Sequence, residues 1–480
     1  MHLLRIFFTL DKNPWVIEAA QNPLGKLLLF VCAVLIFSIE SHDLVQAVLF
    51  LGMSFTYAYI PRYKDLLLLL FTQCLGLYRI AFSPNDLHSD IAKVMAQEHF
   101  SQVPAWQLAL LIYGLYLLLA WGTLIYVRQR PDSLAAKRPI LLLILGAFAL
   151  LFLSSGGLMD GAWRVLIWSF LIIYCAYMWF FAYALIDQSS RTRSSDPMQL
   201  GMFHPFWGST TLPYGKGAAL LRKTRATSGH ELAVTQIKGF KLLVWAILMF
   251  GLDAALKYGF ESYLHVHSIE YEMDAYLSQA PQTRLWQWLS LIWSQIDFVL
   301  WFSMWGNILI ATARFAGFRL PRSTWRPLES RTLIEYFNRI IYYFKELMVD
   351  LFFTPTFLTC FKKHPRFRMF FATFMAAGIG NALYHFFRDV SLAADLGIQE
   401  LFLSFSSYAF YCAVLATGIG LSQVRMSHGY RPSSTRLGRL QAFLCVWGFV
   451  TILQIFGDET RSHTLGERLH YLFYLFGIET

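Results

Sequence analysis

Charged residues are scarce in this chain, and their scarcity excludes most classes of soluble protein. Only 15% of its 480 residues are Asp, Glu, Lys or Arg, whereas a water-soluble domain carries about 25%. The six cysteines are scattered and no CxxC spacing occurs, so the sequence predicts neither a disulfide framework nor a metal site. The internal repeats on which many transporters are built are not evident either.

Hydrophobic residues make up 56% of the chain and cluster in long runs. A bilayer core about 30 Å thick is crossed by about 20 apolar residues in a helix, and lipid cannot satisfy an open backbone. The sequence therefore predicts an all-α polytopic membrane protein with about eleven transmembrane helices, forming one membrane-embedded domain over residues 1–480. The apolar runs cover residues 25–39, 44–60, 66–82, 106–127, 140–153, 165–186, 240–260, 286–315, 369–387, 401–421 and 440–456.

The connections between these runs alternate in charge along the chain. Because Lys and Arg accumulate on the cytoplasmic side, the alternation predicts a multi-pass protein of the cytoplasmic (inner) membrane with a cytoplasmic N-terminus. The same rule explains the net charge of +10 without nucleic acid as a partner. Residues 1–24 lack a cleavable signal pattern and are expected to form a short interfacial segment. Connections 62–64, 128–138, 191–238, 314–331, 362–368 and 425–439 are basic, whereas 40–43, 86–98, 160, 261–274, 389–395 and 458–459 are mainly acidic or neutral.

Two longer segments do not fit the pattern of simple spans and short loops. Residues 332–360 lie between two basic connections, so they are not expected to cross the membrane. Their charged residues are spread through aromatic and aliphatic ones, which favours an amphipathic or re-entrant segment at the cytoplasmic face. Residues 187–239 are predicted to form a long cytoplasmic loop. Long loops beside a re-entrant segment are more typical of a functional site than of an anchor.

His385 is the histidine that lies within a strongly apolar run. On a helix, Asn381, His385 and Asp389 fall on one polar stripe, and a polar residue inside a span suggests a pathway or a site. A histidine that only bonds a neighbouring helix for packing is about as well supported. In a site, His385 is predicted to act as a general base, while Asp389 either orients its ring or pairs with the adjacent Arg388.

Two further groups are candidates for a function. Asp297 lies in the run 286–315 and is either a proton relay or cation site, or the partner of a basic residue that fixes helix packing. A cluster of four basic residues is explained most simply as a topology signal, but it also suits the phosphates of a coenzyme A donor. The cluster consists of Lys362, Lys363, Arg366 and Arg368.

Three motifs in order resemble the membrane-bound O-acyltransferase (MBOAT) family. Residues 302–328 read FSMWGNILIATARFAGFRLPRSTWRPL, residues 330–355 read SRTLIEYFNRIIYYFKELMVDLFFTP, and residues 380–387 read GNALYHFF. They are similar to the family's Gly-Phe-Arg-Leu-Pro stretch, its Glu-Phe-Trp-Arg-Arg-Trp segment and its Gly-x-Trp-His motif. The resemblance places Arg339 in the second motif and His385 at the family's near-invariant histidine. Where many members carry a second polar residue this chain has Ile341, so Asn338, one helical turn earlier, is the candidate replacement.

The resemblance implies a ring of helices around a central tunnel, and an enzyme. The implied reaction moves an acyl group, such as acetyl, from a cytoplasmic acyl-CoA or acyl-carrier-protein thioester to a hydroxyl of a cell-envelope glycan or glycolipid. No bound cofactor is implied; membrane lipid and envelope biosynthesis proteins are the expected partners. Two alternatives remain open: a transporter or flippase that uses Asp297 and His385 as a proton relay, and a non-catalytic subunit of an envelope-assembly complex.

Overall fold

The computed structural model is all-helical over the residues that it describes, 7–41, 43–82, 87–155, 157, 159–190, 192–208, 216–433, 435–457 and 462–478. The apolar runs lie in helices, except that Ile60 of the run 44–60 follows the end of helix Leu44–Tyr59. The run 401–421 is divided, because helix Ala393–Ser404 ends before the next one begins. The long helices are α1 (Pro23–Ser41), α2 (Leu44–Tyr59), α3 (Lys64–Phe82), α4 (Ala105–Gln129), α5 (Pro139–Ser155), α6 (Gly161–Gln188), α7 (Gly229–Tyr263), α8 (Arg284–Phe315), α9 (Pro365–Arg388), α10 (Ser406–Ser427) and α11 (Arg436–Phe456).

Seven helical stretches of the described part are long and apolar enough to cross a membrane, or eight if one bent pair counts as a single span. This fits a multi-pass membrane protein, but the count of eleven is not confirmed. The helices α2 and α5 are apolar but have only 16 and 17 residues. The chain forms two compact units: one comprises Met1–Leu243, Leu309–Pro321 and Phe387–Gln399, and the other Val244–Ile308, Arg322–Phe386 and Glu400–Thr480.

In the first unit, the N-terminal segment turns sharply into the first apolar run. Helix Pro14–Gln21 meets α1 at an angle of 96°. Its inner face packs Ile17 and Ala20 against Ala233 and Ile237 of α7, whereas Trp15 on its outer face is 82% exposed. Helix Pro14–Gln21 therefore does not continue the direction of α1, and its position at the membrane interface stays a prediction.

The first part of the predicted loop 187–239 packs along α3, and its residues 201–208 are buried. The Ser195 hydroxyl bonds the Asp65 carboxylate at 2.7 Å, and the Thr72 hydroxyl donates to the Gly201 carbonyl at 2.9 Å. Further along, Arg79 bonds His204 Nε2 at 2.8 Å. Asp65 and Arg79 are separated by about 21 Å along the helix, at 1.5 Å per residue. The segment therefore follows α3 for most of the length of that helix.

Close packing explains how this polar segment is accommodated beside a helix. A Cβ on Gly201 would lie 3.0 Å from the backbone of Leu68, so only glycine allows the two backbones to approach so closely. Phe203, Phe206 and Trp207 are then fully buried. Residues 209–215 of the predicted loop lie outside the described residues, as do 458–459 in the acidic connection.

In the second unit, the segment 332–360 is built from short helical pieces. They are Leu333–Ile340, Tyr342–Met348, a π-helix Val349–Phe353 and Thr354–Thr359, and none of them is among the candidate spans. Gln295 of α8 donates to the Tyr336 hydroxyl at 2.8 Å and accepts from Gln454 of α11 at 2.8 Å. These buried bonds hold the segment to two long helices.

Candidate functional site

The helix that carries His385 is continuous, but one of its turns is widened. Residues Met375–Gly380 form a π-helix between Pro365–Phe374 and Asn381–Arg388. Gly378 and Gly380 therefore do not break the helix. They allow close contact instead, because a Cβ on Gly380 would lie 2.6 Å from the Phe352 ring. Phe352 belongs to the π-helix Val349–Phe353, so two widened turns pack together just before His385, and such turns are frequent at functional sites.

The His385 ring is surrounded by aromatic rings from three parts of the second unit. Tyr408 of α10 lies closest, with the ring centroids 4.6 Å apart. Phe344 of the segment 332–360 and Tyr384 of α9 lie at 5.8 and 5.5 Å. The ring is thus held by packing, and the re-entrant segment contributes to its surroundings. A held imidazole is suited to accept a proton at a defined point.

Asn381 lies one turn before His385, as the stripe predicts, and is only 5% exposed. Its side-chain oxygen Oδ1 has no hydrogen-bond partner among the described residues. A buried amide oxygen without a partner costs free energy, which marks it as a position where a ligand's hydroxyl is able to bind.

Asp389 lies beyond the end of the helix and is engaged by its neighbour. Arg388 Nε and Nη2 bond the two carboxylate oxygens at 2.7 and 3.2 Å. This is the alternative that the sequence left open for Asp389: a paired charge at a helix end.

Asn338, the candidate second polar residue, is exposed on helix Leu333–Ile340, whose buried residues are Tyr336 and Ile340. Its neighbour Arg339 donates to the Arg326 carbonyl at 3.1 Å and so closes the preceding loop. Ile341 packs against the apolar cluster of Val299, Tyr336, Ile340, Val446 and Val450. In the structure, the position that aligns with the family's polar residue is thus part of an apolar core.

The four basic residues of the predicted donor site divide into two groups. Lys362, Lys363 and Arg366 are exposed. Arg368 instead lies over the Phe357 ring, 3.9 Å from its centroid, and donates to the Phe357 carbonyl. Three of the residues are therefore accessible to a phosphate-bearing donor, whereas Arg368 fastens helix Thr354–Thr359 to α9.

Asp297 is paired with a basic residue of α7. Lys257 Nζ lies 3.1 Å from Asp297 Oδ1 and also 3.1 Å from Asp253 Oδ2. One turn beyond Lys257, the Glu261 carboxylate accepts from Trp293 Nε1 at 3.0 Å. The structure thus confirms a pairing, but with two carboxylates around one ammonium group.

The sequence did not point to Tyr408 or Phe344. Aromatic residues are abundant both in the apolar runs and in the segment 332–360, and no local pattern distinguishes these two. It also missed His204, which stands outside the apolar runs and yet is 5% exposed beside Arg79. Neither family models nor curated proteins match this chain.

Proposed function

We propose that the chain is an O-acyltransferase of the cytoplasmic membrane with His385 as its catalytic base. The observation that carries the proposal is the setting of His385: a single imidazole inside an apolar helix, held by rings from three segments, one of them the non-spanning segment 332–360. The unpartnered Asn381 oxygen lies one turn away.

The chemistry follows from this setting. His385 takes the proton of the acceptor hydroxyl while the hydroxyl oxygen attacks the thioester carbonyl carbon. The tetrahedral intermediate then expels the thiolate, the C–S bond breaks, and the thiolate sulfur receives the proton from His385. Base catalysis of this kind contributes about 10²–10⁴ in rate, and fixing the two reactants in place contributes further. Asn381 is suited to position the hydroxyl, because amide oxygens accept hydrogen bonds.

The three sequence motifs that resemble the MBOAT family support the same reaction. The proposal includes the finer features that the resemblance and the charge pattern imply: eleven spans, a cytoplasmic N-terminus, and a tunnel that admits a thioester from the cytoplasm and an envelope glycan or glycolipid hydroxyl from the other side. Lys362, Lys363 and Arg366 are the accessible cations for a donor's phosphates.

The test uses the purified full-length protein with acetyl-CoA and long-chain acyl-CoA, in the presence of envelope glycan and glycolipid fractions. Released thiol and acylated product are both measured. Replacing His385 by Ala is expected to lower transfer by at least about 10² while the protein stays folded. His428→Ala is the matched control, because His428 is an exposed histidine of the same unit. Transfer near the wild-type rate by folded His385→Ala protein would falsify the mechanism.

One observation favours a second candidate, proton-coupled transport. Asp297 lies in a long apolar helix beside Lys257 and Asp253, and charged groups in such helices often serve proton or ion pathways. Transport predicts a gradient-dependent flux of an unmodified substrate. The acyltransferase instead predicts thioester turnover without a gradient.

A further inference from the structure

Two basic side chains of the first unit lie against one aromatic ring. Lys64 Nζ is 5.9 Å from the centroid of the Tyr57 ring, and Cζ of Arg225 is 6.0 Å from the same point. Arg225 also donates from Nη2 to the Tyr57 hydroxyl at 2.9 Å. Because Tyr57 is fully buried, the two like charges are screened less than they would be in open water. An anion beside them would lower their repulsion.

The nearby carboxylate of Asp65 compensates only one of these two charges. Its Oδ1 accepts from Arg225 Nη2 at 3.0 Å, and its Oδ2 accepts from the Ser195 hydroxyl at 2.7 Å. Among the described residues, no carboxylate lies within ion-pair distance of Lys64. Lys64 is also the first residue of α3, so the positive end of a long helix adds to its charge. Lys64, Arg225 and Asp65 together carry a net charge of about +1.

The second observation is a pair of buried N–H groups that lack an acceptor. Arg225 Nε and Trp207 Nε1 have no hydrogen-bond partner in the described part of the chain, and Trp207 is fully buried. Both residues pack around Phe318: Arg225 pairs with its backbone, and the Trp207 ring lies 5.0 Å from its ring. The Phe318 ring lies 5.3 Å from that of Tyr57. A buried donor without an acceptor costs free energy, so this region has an excess of donors as well as of positive charge.

We propose that Lys64, Arg225 and Trp207 form a binding site for a phosphate group, carried by a phospholipid headgroup or by a soluble phosphate ester. Lys and Arg bind phosphate through charge-assisted hydrogen bonds. The three donors come from α3, from the end of helix Ala218–Thr224 and from the segment 201–208. A phosphate presents several oxygens around one centre, so it is able to accept from all three directions. The site does not depend on acyl transfer and goes beyond it.

A ligand is able to reach these donors from one side. The side chains of Asp65 and Arg225 are 39% and 25% exposed, and Lys64 is half-buried. The surface beside them is basic as well, because Arg222 donates to the Arg193 carbonyl, and a carbonyl does not neutralise a guanidinium charge. The other carboxylates of the surrounding segments are bonded to other cations or to neutral donors: Asp187, Asp196 and Glu231.

The test uses the purified full-length protein and two probes that carry a phosphate. Pyrophosphate is titrated in detergent at constant ionic strength, and its dissociation constant is obtained from the rise in unfolding temperature. In parallel, the protein is supplied with equal amounts of phosphatidylglycerol and of diacylglycerol, which lacks the phosphate, and bound lipid is counted by native mass spectrometry. Stabilisation by pyrophosphate assigns the site to a soluble ester. Selective retention of phosphatidylglycerol assigns it to a headgroup.

The variants show whether binding occurs at this site. Lys64→Gln is expected to weaken binding of the active probe by at least about tenfold, because a charge-assisted hydrogen bond is lost. Trp207→Phe removes an N–H donor but keeps an aromatic ring, and should weaken binding in the same direction. Lys26→Gln is the matched control, because Lys26 lies 4.7 Å over the Tyr59 ring of the same unit. Folded wild-type protein that binds neither probe, wild-type binding by both Lys64→Gln and Trp207→Phe, or an equal loss in Lys26→Gln would each overturn the proposal.

Discussion

Gly380 offers a direct test of the packing that fixes the candidate site. It closes the π-helix Met375–Gly380, one residue before Asn381, and faces the Phe352 ring. Replacing Gly380 by Ala adds one methyl group at the contact between the two widened turns. Gly448 in α11 is the matched comparison, because a Cβ added there meets no atom within 4 Å.

The expected effect follows from two opposing contributions. Replacing Gly by Ala within a helix stabilises it by about 0.5–1 kcal/mol, because Ala loses less backbone entropy on folding. At Gly380 the new Cβ would lie 2.6 Å from Cδ2 and 2.7 Å from Cγ of Phe352. Cγ is the first atom of the ring and is joined to the backbone through Cβ alone, so it cannot turn away unless the whole side chain moves. Overpacking of this kind costs about 1–3 kcal/mol. The helix contribution is common to both variants, so Gly380→Ala is expected to be less stable than Gly448→Ala by about 1–3 kcal/mol.

The measurement is the free energy of unfolding of both purified variants in the same detergent, with acyl transfer measured in parallel. Because Gly380 directly precedes the turn of Asn381 and His385, we expect Gly380→Ala also to lower transfer, whereas Gly448→Ala leaves it unchanged. Equal stability of the two variants would refute the close contact with Phe352 and the positioning of His385 that depends on it.

Three further predictions concern charged groups outside the long apolar helices or at their ends. Burial raises the pKa of Glu272 above its usual value of 4.5, and its carboxylate has no hydrogen-bond partner among the described residues. Its contribution to stability is therefore present below pH 4.5 and lost as the pH rises through the raised pKa. Glu272→Gln should remove this decline. The measurement is the difference in unfolding temperature between wild type and variant, followed from about pH 4 to about pH 8, where a carboxyl group with a raised pKa titrates. Replacing Lys241 by Met removes the nearer of the two lysines that pair with the buried Asp11 carboxylate and leaves Lys238 at 3.9 Å, so it is expected to cost about 1–3 kcal/mol in the free energy of unfolding. Neutralising the exposed cations of the basic cluster is expected to raise KM for acyl-CoA more than it lowers kcat, because contacts with the donor's phosphates have about the same strength in the ground state and in the transition state. Arg368→Gln should instead lower the unfolding temperature, since it removes the contact of Arg368 with Phe357. The exposed cations are Lys362, Lys363 and Arg366.

The helices of this protein were predictable from the sequence, because most apolar runs are long and are separated by connections that contain charged residues. The boundaries agree within a few residues for α4, which covers the run 106–127, and for α8, which covers 286–315. The number of spans was less predictable. Length and composition alone do not decide whether α2 and α5, with 16 and 17 residues, cross a bilayer.

The packing of residues 195–208 along α3 was not predictable from local composition. Their sequence contains Ser, Asp, Gln, His, Pro and Gly, which is typical of a surface loop. Residues 201–208 are buried, and three groups of the stretch meet partners on α3: Ser195 on Asp65, Gly201 on Thr72, and His204 on Arg79. These partners are more than a hundred residues away in sequence, and a local pattern carries no information about them.

The same distinction between a polar residue and its partners applies to the two sites within long apolar helices. Asp297 and His385 stand out in the sequence because each interrupts an apolar run, so their presence is visible without a structure. Whether Asp297 is a relay or a packing residue depends on the charge that surrounds it, and Lys257 with Asp253 supplies that charge from α7. The second carboxylate gives the cluster one more anionic group than cationic, and no local pattern around Asp297 reveals it, because Asp253 lies on another helix.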